Sequence, residues 1–95
     1  MFGDMKKLME MKKQADILKK ELDKSSVEVR EGGVKIVLNG SQSFQTIEIE
    51  PQLMGLENKV RLEREMVKAL NAAIKKSQTI AAEKMRSLMP GLPGF

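Results

Sequence analysis

The chain has 95 residues, a net charge of +4 and no histidine or cysteine. That is enough for one domain with a thin two-layer core, and it excludes disulfides, thiolate metal sites and Cys- or His-based catalysis. Hydrophobic residues at 41% and charged residues at 32% describe a folding chain, while aromatics at 3% call for an aliphatic core helped by eight methionines. The charge is unevenly laid out. Residues 1–25 carry seven Lys against five Asp/Glu, residues 26–50 are net −2, and residues 51–95 carry eight Lys/Arg against four Glu. The opening MFGDMKKLMEMKK has no uninterrupted apolar run, so a cytoplasmic chain without a signal peptide is expected.

Residues 5–24 lack Gly and Pro and are rich in Lys, Glu, Leu and Met, which predicts a helix with Asp4 as its N-cap. Leu8, Met11, Ala15, Leu18 and Leu22 follow the 3-4-3-4 spacing of a short coiled-coil seam. Lys6, Lys13 and Lys20 repeat every seven residues on the opposite face, with Lys12 and Lys19 beside them. From Lys6 to Lys20 that row runs about 21 Å. A solvated helix back is its plainest explanation, and a phosphate-contacting surface is the alternative.

The stretch SSVEVREGGVKIVLNG reads as a hairpin turned at Gly32-Gly33. That turn pairs Val29 with Ile36, Val27 with Leu38, Glu28 with Val37 and Arg30 with Lys35. Asn39-Gly40 opens a second turn, for which a four-residue loop pairing Val34 with Ile47 is preferred. The result is a three-stranded meander. One face holds Val27, Val29, Val34, Ile36, Leu38, Ile47 and Ile49, and the other is polar apart from Val37 and Phe44. A sheet with one wet face needs a single helical layer. Pro51 ends the third strand and residues 51–57 form a connector broken at Gly55. From Asn58 the helical pattern resumes, with Met66, Val67, Leu70, Ala73, Ile74, Ser77, Ile80 and Ala81 as the apolar stripe and Ala69, Ala72 and Ala73 small enough for close approach. This helical region, 58–89, is read as long and open to a break. The tail MPGLPGF cannot continue a helix, because Pro90 and Pro93 lack amide donors.

One long helix fills one face of such a sheet, so the narrow seam of the first helix lacks a partner unless a second copy covers it. A homodimer through Leu8, Met11, Ala15, Leu18 and Leu22, with Val37 and Phe44 on the wet sheet face, is the simplest expectation. No catalytic constellation, metal-ligand set or phosphate loop is visible, and no cofactor or small-molecule substrate is expected. Ser25-Ser26, Ser41 and Ser43 have no basic partner at a recognisable spacing. A helix lying on a membrane is disfavoured by the lack of Trp and Phe anchors. The chain reads as a binding or assembly protein.

VKIVLNG (Val34–Gly40), IEIEP (Ile47–Pro51) followed by Leu53, MVKALNAAIKK (Met66–Lys76), EKM (Glu83–Met85) and the terminal LPGF together resemble the YbaB/EbfC family of bacterial nucleoid-associated proteins. The match spans nearly the whole chain. Glu50 stands where the family usually has Asp before the proline, Leu70 where an aromatic is frequent, and the Gly-rich leader is reduced to Gly3. The resemblance implies an α+β fold: an N-terminal helix over residues 1–25, the meander over 26–50, and a C-terminal helix. It implies a homodimer whose sheets form a shared core and whose helices project. It also implies nucleoid-associated binding of duplex DNA through the first and last helices, with broad sequence preference. The residues on which that role would fall are Lys6, Lys7, Lys12, Lys13, Lys19 and Lys20 on one arm and Lys75, Lys76, Lys84 and Arg86 on the other. An adaptor for replication or recombination proteins, with the lysines serving solubility, is the alternative.

Overall fold

The computed structural model describes residues 2–88. Helix α1 spans Phe2–Lys24, strands β1, β2 and β3 span Val27–Glu31, Val34–Leu38 and Phe44–Ile49, and helix α2 spans Lys59–Leu88. Single 3-10 turns at Pro51–Leu53 and Leu56–Asn58 join β3 to α2. The expected tail, Met89 to Phe95 with its LPGF end, lies outside the described residues. Helix α1 starts earlier than residue 5, so Asp4 is not its N-cap. It sits in the first turn, where a carboxylate still opposes the positive end of the helix dipole.

The hairpin β1–β2 has the register its turn dictates, with Val27 opposite Leu38, Val29 opposite Ile36 and Arg30 opposite Lys35. Both turn glycines have positive φ, 52° at Gly32 and 92° at Gly33, as a two-residue turn matched to strand twist requires. The site is also crowded: a Cβ on Gly33 would lie 2.8 Å from Leu53 Cδ1. Gly33→Ala is therefore expected to destabilise the chain by about 1–2 kcal/mol, read as a lower urea midpoint at unchanged slope.

The third strand departs from expectation. Val34 faces Ile49 and Ile36 faces Ile47, not Val34 with Ile47. The connection is longer than four residues can span, with Gln42 in the left-handed region (φ 64°), and a register shift between Val37 and Leu38. That irregularity sets Phe44 opposite Leu38. Directly opposed residues share a face while neighbours along a strand alternate, so Phe44 does not share the polar face with Val37.

Helix α2 lies over β1 and β2. Ala69, Ala73 and Ser77 are completely buried, one turn apart, and bring the helix backbone close to the sheet. Val27, Val34, Ile36, Leu38 and Leu53 fill the layer between, with Leu62, Met66, Leu70, Ile74 and Ile80 packed around them. Each large aliphatic side chain fully withdrawn from water contributes about 1.5–3 kcal/mol. Val67, expected in this stripe, is exposed, because its position faces away from the row of small residues. Strand β3 extends beyond the helix: Phe44 to Glu48 are exposed, and Ile47 remains 44% accessible although it opposes the buried Ile36.

Helix α2 is unbroken over its 30 residues, about 45 Å at 1.5 Å per residue. The molecule measures 66 × 21 × 18 Å with a radius of gyration of 18.5 Å, against about 12 Å for a compact chain of this length. The excess is the helices: the sheet is small and both helices outrun it.

Candidate nucleic-acid interface

Among the described residues, helix α1 touches the rest of the chain only near its C-terminal end. Leu18 is 8% exposed and Leu22 half-buried, whereas Leu8 is 66% and Met11 50% exposed. The anticipated seam is thus split. Leu18 and Leu22 are covered by the chain itself, and Leu8, Met11 and Ala15 stay in water with Met5 and Met9. For Leu18 and Leu22 the partner is therefore α2 of the same chain, not a second copy.

Lys6, Lys7, Lys12, Lys13, Lys19 and Lys20 are all exposed along this arm. Among the described residues none of them lies within ion-pairing distance of a carboxylate. Their ammonium groups are therefore available to an external anion without first breaking an internal pair. Lysine stems are flexible and their heads strongly hydrated, which suits contact with a phosphate chain without a fixed geometry.

The second arm is divided differently from expectation. Lys76 Nζ donates to the Glu28 carbonyl oxygen at 2.9 Å, so it ties α2 to the edge strand β1. Lys84 is half-buried, while Lys75 and Arg86 are exposed. Three further cations, Arg61, Arg64 and Lys68, are exposed on the same helix, and spacing alone could have found them. Arg61, Lys68 and Lys75 recur every seven residues, and at 100° per residue Arg64 and Arg86 fall with them in a sector of about 60°. That sector is opposite the buried Ala69–Ala73–Ser77 row. It contains no Asp or Glu: Glu63, Glu65 and Glu83 project elsewhere around the helix. Lys59 is neutralised by Glu63 at 3.4 Å and stands apart from this group.

The sheet carries the acids. On its open face Lys35 lies between Glu28 at 3.0 Å and Glu48 at 3.7 Å, spanning all three strands. The hydrogen bond from Lys35 and its charge hold the Glu28 carboxyl below the usual carboxylate range, with Arg30 and Lys76 adding to the effect. Cations of the sheet are thus locally compensated, whereas the lysine row of α1 and the basic sector of α2 have no ion-pair partner among the described residues. A polyanion meeting this molecule would be drawn to the helices and repelled by the sheet. A shallow concavity of about 360 Å³ at the Gly32-Gly33 end, lined by Arg30, Glu31, Glu48 and Glu50, has no such one-signed character. Among the described residues no cluster of acids could hold a metal ion, and no helix is long and apolar enough to cross a membrane.

Comparison with known proteins adds independent findings. The model of the YbaB/EbfC DNA-binding family matches residues 1–92. A nucleoid-associated protein of Pelotomaculum thermopropionicum is 36% identical over 103 aligned positions, covering all of this chain and 98% of the relative. One of Dictyoglomus thermophilum is 33% identical over 94, covering 97% and 90%. Among solved structures, an uncharacterized protein from Helicobacter pylori superposes with a TM-score of 0.68 over 80% of this chain and 90% of that one, at 23% identity, which speaks for the fold alone.

Proposed function

This chain belongs to the YbaB/EbfC DNA-binding family, and we propose that it is a nucleoid-associated protein that binds duplex DNA through the basic rows of its two helices. The observation that carries this reading is the segregation of charge: exposed, unpaired cations along α1 and an acid-free basic sector along α2, set against a compensated sheet. The relatives that it matches along nearly their full length are named nucleoid-associated proteins, which supports a place on the bacterial nucleoid, in the cytoplasm.

The mechanism is electrostatic. Each ammonium or guanidinium group that settles on a phosphate releases condensed counterions, so log K falls with log salt by about 0.9 per contact. Base reading in the major groove is typically done by an Arg fork on guanine, and α1 carries Lys alone, so the α1 row brings little sequence selectivity. Arg61, Arg64 and Arg86 on α2 act in this reading as phosphate contacts, which guanidinium groups also make well. Anisotropy titrations of labelled duplexes with several unrelated sequences test this directly. Micromolar binding that is steep in salt and nearly equal across sequences is the expected result, and absence of binding at low salt would refute the reading.

The working unit is a homodimer. A single copy leaves Leu8 and Met11 on α1 and Phe44 and Ile47 on β3 in water, and β3 has an unpaired outer edge, an arrangement that isolated chains seldom tolerate. A second copy would cover them and leave the helical arms outward. Sedimentation equilibrium should give twice the 10.7 kDa chain mass, and Phe44→Glu should shift it toward a single chain with the helix content kept. A Phe44→Glu variant that stays fully dimeric would place the contact elsewhere. An adaptor function for replication or recombination proteins draws only on the exposed Met5, Met9 and Met11, which suit adaptable contacts. It becomes the better reading if the duplex titration fails.

A further inference from the structure

Asn39, in the turn after β2, is only 7% exposed, and its hydrogen-bonding groups reach three different elements. Its Nδ2 donates to the Asp23 carbonyl oxygen in the last turn of α1 at 3.3 Å. Its Oδ1 accepts from the Ser41 and Ser43 amides at 3.0 and 2.9 Å, holding the loop before β3. Its carbonyl accepts from Ser77 Oγ on α2 at 2.8 Å. Beside it, the Gly40 amide donates to the Leu22 carbonyl at 3.0 Å and to Ser25 Oγ at 2.9 Å, and Ser41 Oγ donates to the Asp23 carboxylate. The approach at Gly40 is so close that a Cβ there would lie 2.7 Å from Ser25 Oγ and 2.9 Å from Leu22 Cδ2.

This clasp is at the root of a lever. Between Gly3 and Leu22 only Leu18 and Leu22 are withdrawn from solvent, so little else restrains the direction of α1. From Asp23 to Lys6 the helix runs about 25 Å. A tilt of about 10° at the root would move Lys6 by about 4 Å, comparable to the roughly 3.4 Å of helix axis per phosphate on one strand. Apolar contact at Leu18 resists separation but has no preferred direction, whereas the Asn39 side-chain amide bonds α1 and the loop while its backbone carbonyl accepts from Ser77 on α2, and bonds converging on one residue fix an angle.

We propose that Asn39 is the positioning residue of the α1 arm, holding the row Lys6–Lys13–Lys20 at a set angle to the basic sector of α2 so that both rows meet one duplex. The inference rests on the duplex-binding reading above. The chain has no cysteine, so spin labels placed at Met9→Cys and Gln78→Cys, diluted with unlabelled protein, report the distance between the arms within one chain. Asn39→Asp keeps an acceptor for Ser41 and Ser43 but deletes the donor to Asp23. The expected result is a narrow distance distribution in the native chain that widens in Asn39→Asp, a duplex affinity lowered about tenfold through lost phosphate contacts, and retained helix content. A distribution that stays narrow, or one that widens with no loss of affinity, overturns the proposal. If Asn39→Asp does not fold, Asn39→Ser is the second variant: its hydroxyl can still accept from the loop amides, as serine does in turns, but is too short to reach the Asp23 carbonyl, and an unchanged width there overturns the proposal equally. A native chain that ignores duplex at low salt retires the duplex reading, while the distances still decide whether Asn39 sets the arm.

Discussion

Converting Lys6, Lys13 and Lys20 to Glu should weaken duplex binding about a hundredfold or more at moderate salt. The three positions are exposed and lie in one row along α1, so the substitutions reverse three charges on each arm without touching a buried contact. If each lysine meets a phosphate, the slope of log K against log salt becomes shallower by about 2.7 per chain. Repulsion between the new carboxylates and the phosphates adds to the loss. Glu forms helices about as well as Lys, and the circular dichroism of the variant should match the native chain. That match separates a lost surface from a lost fold. Unchanged affinity with an intact helix would show the row to be only a solvated helix back.

The second large effect belongs to the core. Leu38→Ala should cost about 2–5 kcal/mol, since the side chain is completely buried and the surrounding layer can close only partly over the gap. A domain of this size has about 5–15 kcal/mol in total, so the melting temperature should fall by about 8 °C or more. Val67→Ala is the informative contrast. Val67 is exposed in the single chain, and its truncation should stay within about 0.5 kcal/mol. A loss at Val67 as large as that at Leu38 would mean that a second copy buries this part of α2.

The two basic rows and the acidic sheet also explain why so little sheet is set between so much helix. The three strands provide one apolar face, which α2 covers in part. The parts left over are β3 with Ile47 and Phe44 and the outer two-thirds of α1, which are the surfaces that the proposed dimer and the proposed DNA contacts would use.

What could be read from the sequence alone was whatever depends on neighbours along the chain. The Gly32-Gly33 turn settled the β1–β2 register, because positive φ at two successive residues leaves a hairpin one way to close. Heptad spacing marks the lysine row of α1, and on α2 the same spacing joins Arg61 and Lys68 to Lys75. The small residues Ala69 and Ala73 marked the side of α2 that meets the sheet. Tertiary structure decided everything that depends on distant partners. The register of β3 turned on a five-residue connection and its bulge, whose geometry is imposed by Asn39 and its bonds to α1 and α2. Ser77 looked like one more small residue in an apolar stripe, and Lys76 like one more surface cation. Only the folded chain brings the first onto the Asn39 carbonyl and the second onto β1. Leu18 carried the same spacing signal as Leu8, yet one is buried by α2 and the other faces water. Periodicity reports which residues share a face of a helix. It carries no information on how far along that face the rest of the chain extends.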